Sequence, residues 1–425
     1  MGTTIMCKNE PVLHFDLDEG IYEIKNDSLL PYQLRGRLRP IQELKGNSSK
    51  YEINEVARNI AHNNTTIERY FSQRVLPLTR ENAKKIYNLF GYSQIQDDHS
   101  RALIALECRS VSLQDAYWVK DDREEKKWKE VDIRSNPLNE VVAQVSLHGD
   151  SLTLQGREAH TPELNGQGAY AKAWKREPSG LFLYKLGANG SDRESKIEVM
   201  VSKLLDKTNV SHVHYYDAES NGRYACKCKC MTTEDKSILP AMDYYSYCSV
   251  NGIDFKQSIM QIDADNIYKM WIVDYLTSNS DRHDMNWGFF YDTNTMNIIG
   301  CHPLFDHNNA FDEKLMQNKD AEYVFDKTMS MKEAAQFAMK KVDFHFTEAI
   351  KREDFVETDQ YDSFRSRAED LSLSIKYDIF SIPMDLREIH AEEKATIERE
   401  IRTELTPQAL ETPDLTIKHG RNRTR

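Results

Sequence analysis

Asn279-Ser280-Asp281-Arg282-His283-Asp284-Met285-Asn286-Trp287-Gly288, followed after a short hairpin by Pro303-Leu304-Phe305-Asp306, is the stretch from which the rest of this 425-residue chain can be read. An Asp, an Asn five residues on, and a second Asp at the end of a β-hairpin form an ordered set of oxygen donors. In such a set the first Asp orients or deprotonates an attacking hydroxyl. The Asn amide and the second Asp hold a magnesium ion that bridges the phosphates of ATP. Hard oxygen ligands suit Mg²⁺, which keeps several waters and needs only one or two carboxylates besides the phosphates. The pattern predicts phosphoryl transfer, with Asp281 at the hydroxyl and Asn286 and Asp306 at the metal.

Upstream of this loop the residues fall in a matching order. Leu181-Phe182-Leu183-Tyr184-Lys185-Leu186 reads as an apolar strand carrying one lysine, and an unpaired ammonium is costly to bury. Lys185 is therefore expected on the nucleotide phosphates, the alternative being an edge-strand lysine that discourages aggregation. The helix predicted over Ser195 to Asp206, with Ile197, Met200, Val201, Leu204 and Leu205 at helical spacing, offers Glu198 as its ion-pair partner and Glu194 as the second choice. Asn165-Gly166-Gln167-Gly168-Ala169-Tyr170-Ala171-Lys172 can bring backbone N–H groups close to phosphates, because glycine permits that approach. An ordinary hairpin loop is the other reading of it. Strands, Gly-containing loop, strand lysine, helix glutamate, connector, helix, Asp-x-x-x-x-Asn loop, hairpin and Asp is the order of a two-lobed kinase.

Composition sets outer limits. The chain is 40% hydrophobic and 29% charged, ordinary for a globular protein with two or three domains. A formal net charge of −12 argues against nonspecific binding of nucleic acid or an anionic membrane by the main body. Only Lys418 to Arg425 is basic, and it reads as a solvated tail. No apolar run reaches the length of a membrane span, and the N-terminus lacks the pattern of a secretion signal. The seven cysteines show no disulfide spacing, so free thiols in a reducing cytoplasm are expected. Cys226, Cys228 and Cys230 alternate and should share one strand face as small apolar groups. A histidine metal site from His283, His302 and His307 with Cys301 is the rival to the magnesium reading.

The expected fold class is α+β: a two-lobed protein-kinase-like fold with an accessory region at residues 1–140, a small β-rich N-lobe at 141–235, a mainly helical C-lobe at 236–405 and a flexible basic tail at 406–425. In detail, Thr79 to Gly91 reads as a helix capped by Thr79, Asp121 to Lys129 as a solvated charged loop, and Val141 to Leu147 and Leu152 to Leu154 as strands. Tyr224 to Met231 reads as a strand and Thr232 to Ala241 as a connection. Met329 to Met339, Tyr361 to Leu373 and Leu386 to Leu405 read as helices.

Asn279-Ser280-Asp281-Arg282-His283 with Asn286 and Gly288 resembles the catalytic loop of HipA-like protein kinases, bacterial serine/threonine kinases known as toxins of toxin–antitoxin systems. The Gly-loop ending Ala171-Lys172-Ala173-Trp174, the strand ending Tyr184-Lys185, and Glu198 within Ile197 to Leu205 are similar to that family too. The resemblance spans roughly residues 141–373, and Ala116-Tyr117-Trp118-Val119-Lys120 extends it into the accessory region. It implies ATP and Mg²⁺ as cofactors, a protein hydroxyl as acceptor, and an antitoxin or regulatory protein as partner. The expected nucleotide-binding set is Gly166, Gly168, Lys172, Lys185, Cys230 and His283. Two departures stand out. Asp306-His307-Asn308 replaces the Asp-Phe-Gly of eukaryotic kinases. The Gly-loop offers only Tyr170 as a hydroxyl, which puts in doubt the self-inactivation of family members phosphorylated on a serine there. A small-molecule kinase on the same scaffold and a non-catalytic nucleotide-binding protein are the other function classes.

Overall fold

A computed structural model describes residues 2–92, 95, 97–153, 161, 164, 168–323, 325 and 327–375. The predicted helix over Leu386 to Leu405 and the basic tail lie outside the described residues, as do Gly166 and Leu154.

The accessory region opens with β1 (Thr3–Cys7), β2 (Glu10–Asp16) and β3 (Ile21–Ile24), then α1 (Lys50–Ser72), α2 (Ala83–Leu89), α3 (Asp98–Glu107), β4 (Tyr117–Asp121), the short α4 (Trp128–Val131) and α5 (Glu140–His148). Its four strands form an antiparallel sheet in the order β3-β2-β1-β4. α1 begins at a capping box in which Ser49 accepts from the Glu52 amide and the Glu52 side chain accepts from Ser49.

Several local expectations need correction. Val141 to Leu147 is helical, not a strand. The Asn139 side chain accepts from the amides of Val141 and Val142, and left-handed Gly149 closes the helix on the carbonyl of Val145. A short apolar run fits a buried helix as well as a strand, and the caps decide between them. The helix near Thr79 starts only at Ala83, because Pro77 and Arg80 form a turn first. The charged run is interrupted by Trp128, which is buried and starts α4.

A second antiparallel sheet, in the order β5-β6-β8-β7, comprises β5 (Lys172–Glu177), β6 (Gly180–Lys185), β7 (Tyr215–Ser220) and β8 (Arg223–Lys229). α6 (Arg193–Leu205) packs against β7 and β8. On β8, Cys226 and Cys228 are buried and Lys227 between them is half-buried, as the alternation predicts, while Cys230 lies just past the strand and is half-buried. All seven cysteines are free thiols.

The connector expected over Thr232 to Ala241 contains a strand, β9 (Lys236–Pro240). It is followed by α7 (Ala241–Asn251), α8 (Phe255–Leu276), the hairpin β10 (Gly288–Asp292) and β11 (Ile298–Cys301), and then α9 (Glu313–Gln317), α10 (Met331–Met339) and α11 (Thr358–Ile375). β9 completes a three-stranded sheet by pairing with β10, so the connector is tied to the β10–β11 hairpin. Ile267, Met270, Trp271, Asp274 and Tyr275 of α8 are all buried and lead into the loop at 279–288. Among the described residues no helix is long and apolar enough to cross a membrane.

The core does not respect the expected boundary near residue 140. One apolar cluster joins Phe15, Phe71 and Tyr117 of the accessory region with Trp271, Phe289 and Phe311. Across the same boundary the Tyr32 hydroxyl donates to the Met296 carbonyl at 2.6 Å, and the Ile238 amide to the Gln114 carbonyl at 2.8 Å.

Candidate active site

The loop after α8 is held by a fully buried ion pair. Arg282 and Asp274, both 0% exposed, meet at 3.1 Å. A buried pair of this kind must satisfy its remaining hydrogen-bonding groups to offset desolvation. Arg282 donates to the carbonyls of Asn286 at 2.7 Å and Phe305 at 3.1 Å and to His307 Nε2 at 3.0 Å. Asp274 accepts from the Asn279 amide at 3.1 Å and the Tyr323 hydroxyl at 2.8 Å. One guanidinium thus ties the loop bearing Asp281 and Asn286 to the segment bearing Asp306.

Within that frame, the Asn286 side-chain amide donates to the Asp281 carbonyl at 2.9 Å, closing the five-residue loop on itself. The Asp281 carboxylate receives the Asn309 amide on Oδ2 at 2.9 Å, while His283 Nε2 lies 3.6 Å from Oδ1. Asn309 also accepts from the Tyr170 hydroxyl at 3.2 Å, which links the end of the Gly-containing loop to Asp281.

Lys185 stands at the end of β6 and spends its three donors on Glu198 at 3.0 Å, Tyr215 Oη at 3.3 Å and Asp306 Oδ1 at 2.6 Å. Glu194, the second choice, accepts instead from the Ala188 amide at 3.2 Å. Glu198 uses its other oxygen to accept from the His307 amide at 3.0 Å, which places Asp306 against the lysine. Burial disfavours the ammonium of Lys185, but Asp306 and Glu198 outweigh it and hold its pKa well above the ordinary value. Burial likewise pushes the Asp306 carboxyl up, yet Lys185 and Lys172 hold it well below the usual carboxylate range. Lys172, which opens β5, is pushed down to about 7 by burial and by Arg80.

These groups surround one cavity of about 530 Å³, within the usual range for small-molecule sites. Gly168, Lys172, Lys185, Glu198, Cys230, Asp281, His283, Asn286 and Asp306 all line it. Gly168 sits at φ +91°, a left-handed backbone that favours glycine, with the movable end of the Lys172 side chain beside it. The rival histidine set does not converge among the described residues. His302 Nδ1 is 3.0 Å from the Pro303 carbonyl, the Cys301 amide donates to Asp263, and His307 faces Arg282.

Sequence reasoning missed Arg282, Tyr215, Asn308, Asn309 and the wall supplied by the accessory region, namely Arg80, Ser112, Leu113 and Gln114. Arg282 lies inside the quoted loop and Asn308 and Asn309 follow Asp306 by two and three residues, but position alone assigned them no role. The accessory wall carries no local signal at all. The oxygen-rich corner fits magnesium: besides Asn286 and Asp306, the buried Asn308 Oδ1 has no hydrogen-bond partner among the described residues, while its amide donates to Asp306 at 3.1 Å.

The solved structures similar to this chain include the following two. The Helicobacter pylori proinflammatory kinase CtkA is 16% identical, over 56% of this chain and 94% of its own, with a TM-score of 0.31. HipA of the Shewanella oneidensis MR-1 toxin–antitoxin system, solved with HipB and operator DNA, is 12% identical over 94% of this chain and 97% of its own, with a TM-score of 0.46. No protein-family model and no curated protein matches the sequence.

Proposed function

We propose that this chain is an ATP- and magnesium-dependent kinase that transfers the γ-phosphoryl group to a serine or threonine hydroxyl of a protein. The observation that carries the proposal is the convergence of Lys185, Glu198 and Asp306 with Asp281 and Asn286 around one cavity, from four separate segments of the chain. Phosphoryl transfer demands positioning and charge stabilisation more than covalent chemistry, and this constellation supplies both.

In this reading the Lys185 ammonium, held by Glu198, turns from Asp306 toward the nucleotide phosphates. Asp281, steadied on one oxygen by Asn309, receives the acceptor hydroxyl on the other. Asn286, Asp306 and Asn308 would hold Mg²⁺, which supplies charge neutralisation on the phosphates. Gly168 and Lys172 face the phosphates, and Cys230 lies at the base end. The acceptor's protein nature and an antitoxin or regulatory partner rest on the resemblance of the loop motifs. The Gly-loop hydroxyl available to regulation is that of Tyr170, already engaged by Asn309.

The test is phosphate transfer from labelled ATP into proteins of a cell extract, against a parallel panel of lipids, sugars and aminoglycosides. Asp281→Asn should reduce transfer by about 10²–10⁴-fold, the range for positioned acid–base groups, and EDTA should abolish it. Full activity in Asp281→Asn sinks the assignment. Label appearing only in the small molecules replaces the acceptor class, and ATP binding without turnover makes the chain a nucleotide-binding protein.

A further inference from the structure

We propose that Asp206, His212 and His214 form a binding site for one divalent transition-metal ion of the zinc type, outside the nucleotide cavity. Their ligand atoms lie within 4.8 Å of one another, the only such group of His, Cys, Asp or Glu among the described residues. Asp206 Oδ1 is 2.7 Å from His214 Nδ1 and 3.1 Å from His212 Nε2. Zinc bonds of about 2.0–2.2 Å in a tetrahedron set donor atoms roughly 3.3 Å apart, so an ion needs only a small outward shift of these groups.

The decisive feature is His212. Its Nδ1 is 3.0 Å from the Val210 carbonyl, which can only accept, so that nitrogen carries the hydrogen. The Nε2 of the neutral ring is then a bare lone pair, aimed at a carboxylate oxygen. Two acceptors at 3.1 Å require a cation between them, either a proton or a metal ion. The His212 side chain is only 5% exposed, so packing fixes where its Nε2 points. A ligating imidazole whose second nitrogen donates to a backbone carbonyl is the usual support for a metal-bound histidine. His214 and Asp206 are 59% and 46% exposed and leave an open side for water as a fourth ligand. Two imidazoles and a carboxylate select zinc, cobalt or nickel over magnesium or calcium.

The three ligands lie on the connection from α6 to β7, which touches several parts of the nucleotide cavity. Asp206 caps the C-terminus of α6, the helix of Glu198. His214 precedes Tyr215, whose hydroxyl touches Lys185. His212 bridges to Leu304, two residues before Asp306, with the Val213 amide donating to the Leu304 carbonyl at 2.8 Å. A bound ion would clip the end of α6 to the start of β7.

The test uses the untagged, chelator-stripped full chain with excess Mg²⁺, titrated with Zn²⁺ by calorimetry and with Co²⁺ by visible absorption. One ion per chain, a rise in Tm, and at least a tenfold loss of affinity in His214→Gln and in Asp206→Asn are expected, with Asp306→Asn binding as the parent does. His214 and Asp206 are surface residues, so the metal-free variants should melt with the parent, and His212→Ala is the third test. No saturable uptake at micromolar zinc, or uptake unchanged in both surface variants, overturns the site. The readout is independent of phosphotransfer.

Discussion

Lys185 is the side chain on which the proposed chemistry turns, because its three donors meet three oxygens in a buried place. Removing the charge with Lys185→Met should leave Glu198 and Asp306 facing each other, and ATP turnover should fall by about 10²-fold or more. Glu198→Gln should be milder, and the double variant should cost less than the sum, since groups in contact do not act additively. Additive losses in kcat/KM would show that the pair does not act as a unit. Lys172 gives a pH prediction. Its nucleotide-free value of about 7, against an ordinary 10.5, leaves it largely neutral between those values. Phosphates favour the ammonium, so binding ATP at about pH 8 should take up a proton, and affinity should fall as pH rises through this window. Calorimetry in two buffers of different ionisation enthalpy measures the uptake. Lys172→Met should remove it, and an uptake of zero in the parent would refute the assignment.

Among the elements, the β9–β10 pair shows how the expected connector and the loop at 279–288 become one unit. Gly288 opens β10 directly after the loop, and a Cβ there would strike the backbone of Leu239, Pro240 and Ala241. The obstruction is main chain in a sheet, which cannot move as a flexible side chain can. Gly288→Ala should therefore lower Tm and reduce kcat by displacing Asn286, whereas Gly46→Ala, with nothing within 4 Å, should do neither. Equal behaviour of the two variants in a melting and turnover assay would contradict the packing account. α5 teaches the complementary lesson. Its valines favour a strand by propensity, but the Asn139 cap and Gly149 satisfy the helix ends and the buried face repays the difference.

For the molecule as a whole, the accessory region shares one apolar core with the segments that carry the candidate site. Its Arg74–Asp115 pair, bidentate at 2.6 and 2.9 Å, is nearly buried, and Asp115 follows directly on the wall residues Ser112 to Gln114. Asp115→Ala would strand a buried guanidinium, and about 3–5 kcal/mol of stability should be lost. A loss of less than a third of that, measured from the midpoint and slope of urea unfolding, would mean that the pair is solvated. Severing residues 1–140 should expose the shared core and leave the remainder unable to fold alone.

The Asp281–Asn286 loop, the hairpin, the β6 lysine and the α6 glutamate could be singled out in the sequence because each carries a local pattern: fixed spacing, alternation or helical period. The same holds for the α+β class, since caps and periodicity are properties of neighbouring residues. The partner chosen by Lys185 was narrowed to two glutamates one turn apart, and the tertiary structure separates them by giving Glu194 to the Ala188 amide. Arg282, Asn309, the accessory wall and the Asp206–His212–His214 cluster were beyond reach. For the first three, meaning lies in contacts between segments distant in the chain, and burial of charge is decided only when those segments pack together; the cluster is local in sequence, but the turn that folds His212 and His214 back onto the end of α6 has no spacing pattern of its own.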